Sequence, residues 1–304
     1  MIGPPSSRTA QEIADQRVEP MQNGSVNPSS RSVVRAYYAS LGEREWQRLD
    51  QAEDGAVEFA VTIAALERHL PPEAAVLDIG GGPGRYAIAL AERGHSVTLA
   101  DLSPDLLAIA RQKVRAARAD RGVREIVQAD ACDLSRWATG TFDAALSLGP
   151  FYHLTQESER ATAARELARV VRPGGVVFVA AMPRLAFLSR TIALPDERHH
   201  LLDASWLRRL LEDGVFENEV PGRFSLGYGV QPGEIERLLE DHGFAVLERL
   251  SVESVSVGVE RQVGEVIGAG GPVAEALGRL MIDLAGDERL LGAARHLLVV
   301  GRRD

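Results

Sequence analysis

The sequence has little of several features that would assign it to a particular environment. It contains one cysteine, Cys132, so no disulfide can form within the chain and an oxidising compartment is not indicated. No apolar stretch is long enough to cross a bilayer. The N-terminal residues also lack the apolar core of a signal peptide. From these absences we expect a cytoplasmic protein with no membrane partner.

Basic residues are outnumbered by acidic ones. The sequence has 34 Lys and Arg against 43 Asp and Glu, which gives a formal net charge of −9. Proteins that bind nucleic acid through phosphate contacts need a basic face. The arginine-rich stretch 111–124 alternates with alanine on a predicted helix, which is typical of a solvated surface. We therefore expect no nucleic-acid partner, while the oligomeric state stays open.

The most informative stretch is residues 76–101. A short apolar run with one acid predicts a buried strand at 76–79, and the glycine-rich turn 80–84 follows it directly. A helical pattern and a second strand come next, and that strand ends on Asp101. A glycine turn lets a ligand approach the backbone, a helix N-terminus attracts anionic groups, and a carboxylate at this position can accept both ribose hydroxyls. The unit predicts a ligand that contains a nucleoside.

Strands alternate with helices through much of the chain, which predicts a doubly wound, mostly parallel sheet of seven strands. The predicted strands are residues 75–79, 96–100, 125–129, 142–148, 176–181, 244–252 and 296–300. The predicted organisation is a flexible leader at 1–30, an N-terminal helical lid at 31–72, an α/β domain at 73–182 and 231–304, and a helical cap at 183–230.

Several motifs together resemble one family. They are the glycine turn at 76–84, the acid Asp101, the run Gln128-Ala129-Asp130-Ala131, the fourth strand 142–149 and the Pro-Gly-Gly turn at 169–175. On these residues the sequence resembles the class I S-adenosylmethionine-dependent methyltransferases of the small-molecule type. The motifs cover residues 33–182, whereas residues 231–301 share only the topology. The resemblance implies a Rossmann-like fold and S-adenosyl-L-methionine (SAM) as cofactor.

The resemblance also implies a cofactor-binding set: Tyr38, Asp78, Gly80, Gly81, Gly82, Asp101, Leu102, Asp130, Ala131 and Leu148.

Within this set, the glycines would line the methionine part of the cofactor and Asp101 would bind the ribose. Leu102 would pack on adenine, and Ala131 would donate its N–H to the adenine ring. Leu148 would face the sulfonium, and Tyr38 would cover the methionine end.

Two roles in the set stay open. Asp78 would orient the glycine loop or the cofactor's amino group, or else cap the following helix. Asp130 would accept from the adenine amino group, or only cap the next turn.

The reaction implied is a direct in-line displacement, in which the enzyme mainly fixes distance and angle. A base is needed only when the nucleophile arrives protonated. The candidates are Tyr152, His153, His199 and His200. A structural histidine bonded to the backbone is the alternative for His153, and an exposed loop pair is the alternative for the other two. No metal site is predicted.

A small-molecule acceptor, such as a planar natural product, is the substrate class we predict. The insertion supplies large apolar side chains that would line an apolar pocket or form the insertion's own core: Phe187, Leu188, Leu194, Leu201, Leu202, Trp206, Phe216, Phe224 and Tyr228.

Three other functions stay open. One is a SAM-binding protein that catalyses no methyl transfer or a different reaction. Another is a methyltransferase for protein or RNA, which the net charge disfavours. The third is a nicotinamide-dependent dehydrogenase, whose third glycine would fall at Arg85.

Overall fold

The computed structural model describes residues 30–51 and 55–304. Apart from Ser30, the predicted leader lies outside the described residues. So do residues 52–54 of the predicted helical lid.

A central sheet holds the described part of the chain together. Its main body runs β3-β2-β1-β4-β5 with all neighbours parallel, and β9 then lies antiparallel between β5 and β8. The strands are β1 Ala75–Ile79, β2 Ser96–Asp101, β3 Val123–Gln128, β4 Phe142–Ser147, β5 Val171–Pro183, β6 Val215–Glu217, β7 Leu226–Val230, β8 Phe244–Ser251 and β9 Leu297–Arg303. The predicted fold class is confirmed, and each of the seven predicted strands is present, as β1 to β5, β8 and β9.

The sheet of the described residues has nine strands rather than the predicted seven, because the insertion adds β6 and β7. β7 pairs in parallel with the last residues of β5. Glycine has a low strand propensity, so Gly227 and Gly229 kept β7 from being predicted from the sequence. The structure shows why glycine is there: a Cβ at Gly229 would lie 2.7 Å from the Arg184 Cα, and one at Gly227 would lie 2.6 Å from the Phe224 ring.

Helices cover both faces of the sheet. They are α1 Ser30–Leu41, α2 Glu43–Gln51, α3 Gly55–His69, α4 Arg85–Glu92, α5 Pro104–Ala116, α6 Glu157–Val170, α7 Arg184–Ala193, α8 Ala204–Arg208, α9 Glu234–Glu240, α10 Glu260–Ala269, α11 Gly271–Leu284 and α12 Glu288–Leu291. One 3₁₀ helix matters for the site, Pro150–His153 after β4. Gly42 separates α1 from α2.

Alternating side chains of the strands enter two cores. On β1 and β5, Val76 and Phe178 belong to the core beneath α3, α4 and α5, whereas Leu77 and Val177 belong to the core beneath α6 and α9. A strand buried on both faces needs apolar residues at almost every position, which is why these strands appear as continuous apolar runs. None of the helices that the structure describes is both long and apolar enough to cross a membrane.

The insertion has an apolar core of its own, near the carboxyl end of β5. Phe187 on α7 is fully buried and stacks on Phe216 with 4.7 Å between the ring centroids. Trp206 and Phe224 complete the cluster, which also contacts Tyr152. Three segments of the insertion are thereby held against the end of the sheet.

Replacing Phe187 by alanine tests this packing. Loss of a fully buried ring leaves a cavity, and we expect the free energy of unfolding to fall by about 3–5 kcal/mol. Leu185→Ala on the same helix is the matched control, because Leu185 is 56% exposed and its truncation should change stability by less than about 0.5 kcal/mol. Urea unfolding measures both; equal effects would contradict the described packing.

Candidate functional site

The main cavity lies at the carboxyl ends of β1, β2 and β4, where parallel α/β sheets bind ligands. The empty space in and over it amounts to about 1130 Å³, which includes open solvent, and α1 and α2 form one wall. The structure brings the whole predicted cofactor set to this cavity: Tyr38, Asp78, Gly80, Gly81, Gly82, Asp101, Leu102, Asp130, Ala131 and Leu148 all line it. Their individual roles stay predictions.

The glycine turn needs glycine for two reasons. Gly80, Gly82 and Gly84 have φ of +77°, +54° and +87°, which side chains disfavour. A Cβ at Gly80 would also lie only 2.6 Å from the Pro150 Cδ. The amides of Gly80 and Gly81 both donate to the Ala100 carbonyl, at 2.8 and 3.2 Å. The turn is therefore fastened to β2 and leaves its backbone facing the cavity.

Asp101 fastens the same turn with its side chain. Its Oδ2 accepts from the Gly82 amide at 2.8 Å and its Oδ1 accepts from the Ser103 amide at 2.7 Å. Burial raises the pKa of Asp101 to about 6, although these two hydrogen bonds oppose the shift. A carboxylate has about four lone-pair sites, so both oxygens keep acceptor capacity towards a ligand.

Asp78 is 1% exposed, and its Oδ2 has no hydrogen-bond partner among the described residues. Burial, and secondarily the charge of Asp101, raise the pKa of Asp78 to about 7. The alternative that Asp78 caps α4 is wrong, because the N-cap of that helix is Gly84 with no side-chain cap. A buried acceptor without a partner beside a cavity marks a place where a ligand donor would be stabilised.

Asp130 makes two kinds of contact. Its Oδ1 accepts from the Cys132 amide at 2.9 Å, which is the turn-capping alternative. Its Oδ2 pairs with the Arg31 guanidinium of α1, and Arg31 also donates to Glu159 at 2.6 Å. The sequence analysis missed Arg31, because no local pattern links it to residues about a hundred positions away. This ion pair fastens α1 over the end of β3.

Tyr38 and His153 meet in the wall of the cavity, and Tyr38 lies about two turns of α1 from Arg31. The Tyr38 hydroxyl lies 2.8 Å from His153 Nε2, and His153 Nδ1 lies 3.0 Å from the Leu226 carbonyl oxygen. Burial lowers the pKa of His153 to about 4. His153 thus makes the backbone contact that we predicted as its alternative role, yet it also lines the cavity together with Tyr152.

His199 and His200 are not among the residues that line the main cavity. His199 is exposed and bonds to the Asp196 carbonyl at 2.9 Å. His200 bonds to Asn218 at 3.1 Å and stacks on Trp206 at 4.8 Å. The structure therefore does not bring them together with Tyr152 and His153, since they lie on the far part of the insertion.

The apolar side chains of the insertion do not line the cavity either. Phe187, Leu188, Trp206, Phe216 and Phe224 pack with one another, which is the own-core alternative. Tyr228 packs in the core under α6 and α9, Leu202 is 90% exposed, and Leu194 and Leu201 are half-buried. The apolar wall predicted from these residues is thus absent from the cavity that the structure describes.

Arg48 on α2 also lines the cavity and was not predicted. It donates to Glu58 at 2.7 and 3.2 Å and to Glu45 at 3.1 Å. The Glu45–Arg48 spacing of three residues is the usual spacing of a helical ion pair and was the one signal in the sequence.

Behind Arg48, two further side chains continue the network. The ligating atoms of Glu58, Glu253 and His296 lie within 4.8 Å of one another. His296 Nδ1 contacts Glu253 at 2.7 Å. Burial would lower the pKa of His296, but the hydrogen bond and charge of Glu253 and the charge of Glu58 raise it overall. Because Arg48 and His296 contact these carboxylates, the group forms a polar network that ties α2 and α3 to the residue before β9.

Comparison with known proteins agrees with this geometry. A family model described as "Methyltransferase domain" matches residues 76–175. A ubiquinone biosynthesis O-methyltransferase from Xanthomonas oryzae is 31% identical over 156 residues, which cover 44% of this chain and 61% of that protein. The chain therefore spans about three fifths of the length of this curated relative.

Two solved structures share the fold. One is the [4+2]-cyclase SpnF, with a TM-score of 0.56, 18% identity, and coverage of 92% of this chain and 99% of that one. The other is the Burkholderia thailandensis 1,6-didemethyltoxoflavin-N1-methyltransferase, with a TM-score of 0.52, 20% identity and coverage of 93% of both chains. At these identities the likeness concerns the fold alone.

The fold and the cavity define a Rossmann-like α/β protein with a site for a nucleoside-containing ligand at the carboxyl edge of its sheet. The family-model match places a methyltransferase domain over residues 76–175, and the similarity to the O-methyltransferase relative supports it. The resemblance of the sequence motifs is thereby confirmed.

Asp78 generates a prediction about pH. Because its folded pKa is raised, the carboxyl stabilises the fold while protonated, and this contribution is lost as pH rises towards its pKa of about 7. An asparagine side chain at this position would not titrate. We therefore expect the stability of Asp78→Asn relative to the wild type to increase by about 1–3 kcal/mol between about pH 4 and about pH 8.

Chemical unfolding of the ligand-free protein at several pH values measures this difference. Asp105→Asn, at an exposed position of α5, is the control and should give a constant difference from the wild type. A constant difference for Asp78→Asn as well would show that the Asp78 carboxyl does not titrate in this range.

Proposed function

We propose that this protein is a SAM-dependent methyltransferase that methylates a small-molecule acceptor. The observation that carries the proposal is one cavity lined by two chemically different groups of residues. The glycine turn, Asp101 and Asp130 form one group, and Tyr38, Tyr152 and His153 form the other. This arrangement suits a nucleoside-containing cofactor and a second molecule placed against it.

The residues present fit SAM. The open backbone of Gly80 would accommodate the methionine tail, because a side chain there would meet Pro150. The unpartnered Asp78 Oδ2 would accept from the cofactor's amino group, and Asp101 from the ribose hydroxyls. Leu102 and Ala131 would contact adenine. When bound, SAM supplies a methyl group on a sulfonium, which a nucleophile can attack directly.

The chain's own contribution is positioning. The α1 wall excludes water from one side of the cavity, and the fixed turn sets the position of the cofactor tail. Holding two reactants at attack distance and angle is by itself a large rate effect.

The cap and the lid of the predicted organisation keep their proposed roles. The segment 31–72 would cover the cofactor, which the Arg31–Asp130 contact supports. The segment 183–230 would border the acceptor, which the Leu226–His153 contact supports. Residues 73–182 and 231–304 would form the cofactor-binding domain.

A small acceptor suits this site better than a protein or RNA. The net charge is −9. Two of the cavity's arginines are already paired, Arg31 with Asp130 and Glu159, and Arg48 with Glu45 and Glu58. A negatively charged polymer would thus find less free positive charge here. The names of a curated relative and a structural neighbour, a ubiquinone biosynthesis O-methyltransferase and a toxoflavin N-methyltransferase, support the same class.

Calorimetric titration tests the cofactor. We expect S-adenosylhomocysteine (SAH) to bind and NAD not to bind, since Arg85 stands where a dinucleotide site needs glycine. Asp101→Ala should weaken SAH binding by at least about a hundredfold, because it removes the ribose acceptor and leaves the Gly82 and Ser103 amides unpaired.

Asp105→Ala, exposed on the neighbouring helix, is the control and should bind SAH like the wild type. Tight NAD binding without SAH binding would contradict the proposal. SAH binding with no transfer of a labelled methyl group from SAM to any small acceptor would instead favour a SAM-binding protein with another reaction.

A further inference from the structure

A chain of hydrogen bonds joins three separate elements in the cavity wall, where we propose that the molecule to be methylated binds. Tyr38 comes from α1, His153 from the 3₁₀ helix after β4, and Leu226 from the first position of β7. The Tyr38 hydroxyl lies 2.8 Å from His153 Nε2, and His153 Nδ1 lies 3.0 Å from the Leu226 carbonyl oxygen. Such a chain has a direction, because each member either donates or accepts.

The carbonyl sets that direction. A carbonyl oxygen only accepts, so His153 Nδ1 must carry the proton that it donates to Leu226. A neutral imidazole has one N–H, and its other nitrogen is then an acceptor. His153 Nε2 therefore accepts, and the Tyr38 hydroxyl donates to it.

The surroundings keep His153 in this form. Phe224 stacks on the imidazole with 5.0 Å between centroids, and Tyr152 packs against it at 4.9 Å. This burial disfavours the charged imidazolium, which is why the pKa of His153 is lowered. At neutral pH the ring stays neutral, and the direction of the chain is kept.

Tyr38 then has no proton to offer to the cavity. Its single hydroxyl proton is committed to His153, so its oxygen can only accept from a molecule placed against it. Tyr38 lines the cavity beside Leu148 and Tyr152. The Tyr152 hydroxyl also has a hydrogen bond with Tyr38, which takes one of the two lone pairs of the Tyr38 oxygen. The other lone pair favours a group that donates a hydrogen bond over one that cannot.

We propose that Tyr38, oriented by His153 and the Leu226 carbonyl, determines which molecule is methylated. Its hydroxyl oxygen would accept a hydrogen bond from the nucleophilic group of that molecule. The acceptor class is then a hydroxyl or an amine that still carries its proton, rather than a thioether or a tertiary amine. This inference rests on the proposed function for the identity of the second molecule. Tyr38 acts on the acceptor, whereas His153 is a positioning residue.

The adjacent tyrosine provides a matched control. Tyr37 also contacts Tyr38 and Phe224, with centroids 5.1 and 5.7 Å apart, but it is not among the residues that line the cavity. Tyr37→Phe and Tyr38→Phe each remove one hydroxyl from neighbouring positions of α1 and keep the ring.

The direction of the chain is tested without any ligand. Nitrogen-15 NMR of the histidines in the cofactor-free protein should show His153 as the Nδ1–H tautomer. Tyr38→Phe should move the Nε2 resonance towards that of an unbonded nitrogen, whereas Tyr37→Phe should leave it in place. An Nε2–H tautomer, or a resonance that Tyr38→Phe does not move, would overturn the proposal whether or not SAM is the cofactor.

Specificity is tested with phenol and anisole, which differ in one methyl group and in the ability to donate. Each protein is first titrated with SAH and then saturated according to its own affinity. We expect the SAH-loaded wild type to bind phenol at least about tenfold more tightly than anisole. The preference should persist in Tyr37→Phe and disappear in Tyr38→Phe.

The two proposals fail in different ways. A wild type that does not bind SAH contradicts the proposed function while leaving the NMR result valid. A wild type that binds SAH but takes phenol and anisole equally, or neither, contradicts the role of Tyr38 and leaves the cofactor assignment standing.

Discussion

The buried carboxylate of Asp101 is the contact on which the cofactor side of the cavity depends. A charge away from water is costly unless it is hydrogen-bonded, and Asp101 is bonded to the amides of Gly82 and Ser103. The Gly82 amide belongs to the glycine turn after β1, and the Ser103 amide belongs to the loop after β2, where α5 begins. One side chain thus holds two loops at a fixed separation. Any ligand that fits between them meets a surface that is already formed.

The Asp101 carboxylate also repels a negative charge on Asp78. Both side chains are buried, and the charge of Asp101 adds to the burial that raises the pKa of Asp78. The orphan Asp78 Oδ2 has no donor within the described residues that could relieve it. A cationic donor in the cavity would lower the free energy of this pair. The methionine part of SAM carries such a group, which is a physical reason for two acids beside a glycine turn.

The sheet and the cavity residues at the strand ends could be predicted, because the patterns that indicate them lie within short stretches of the sequence. The strand Ala75–Ile79 was predicted to the residue, since a strand buried on both faces must be apolar. A second local signal is Ser103 followed by Pro104, a pair that favours a helix start, and the Ser103 side chain accepts from the Leu106 amide. The residues at the carboxyl ends of parallel strands then meet without further information.

The rest of the cavity depends on contacts between distant segments. Arg31 reaches Asp130, and His296 reaches Glu253, with no pattern in the sequence that pairs them. The histidines illustrate this limit: His153 and His200 were both candidate bases from the sequence, yet one lines the cavity and the other stacks on Trp206. Which of these histidines lines the cavity depends on the tertiary packing, and the local sequence pattern does not indicate that packing.

The helix α1 makes two contacts in the cavity wall. Arg31 contacts Asp130, and Tyr38 contacts His153. They are seven positions apart, which is close to two helical turns, so both side chains lie on one face about 10.5 Å from each other along the axis. Moving α1 as a rigid helix would break both contacts together. Access to the cofactor side and orientation of Tyr38 towards the acceptor are therefore coupled through a single element.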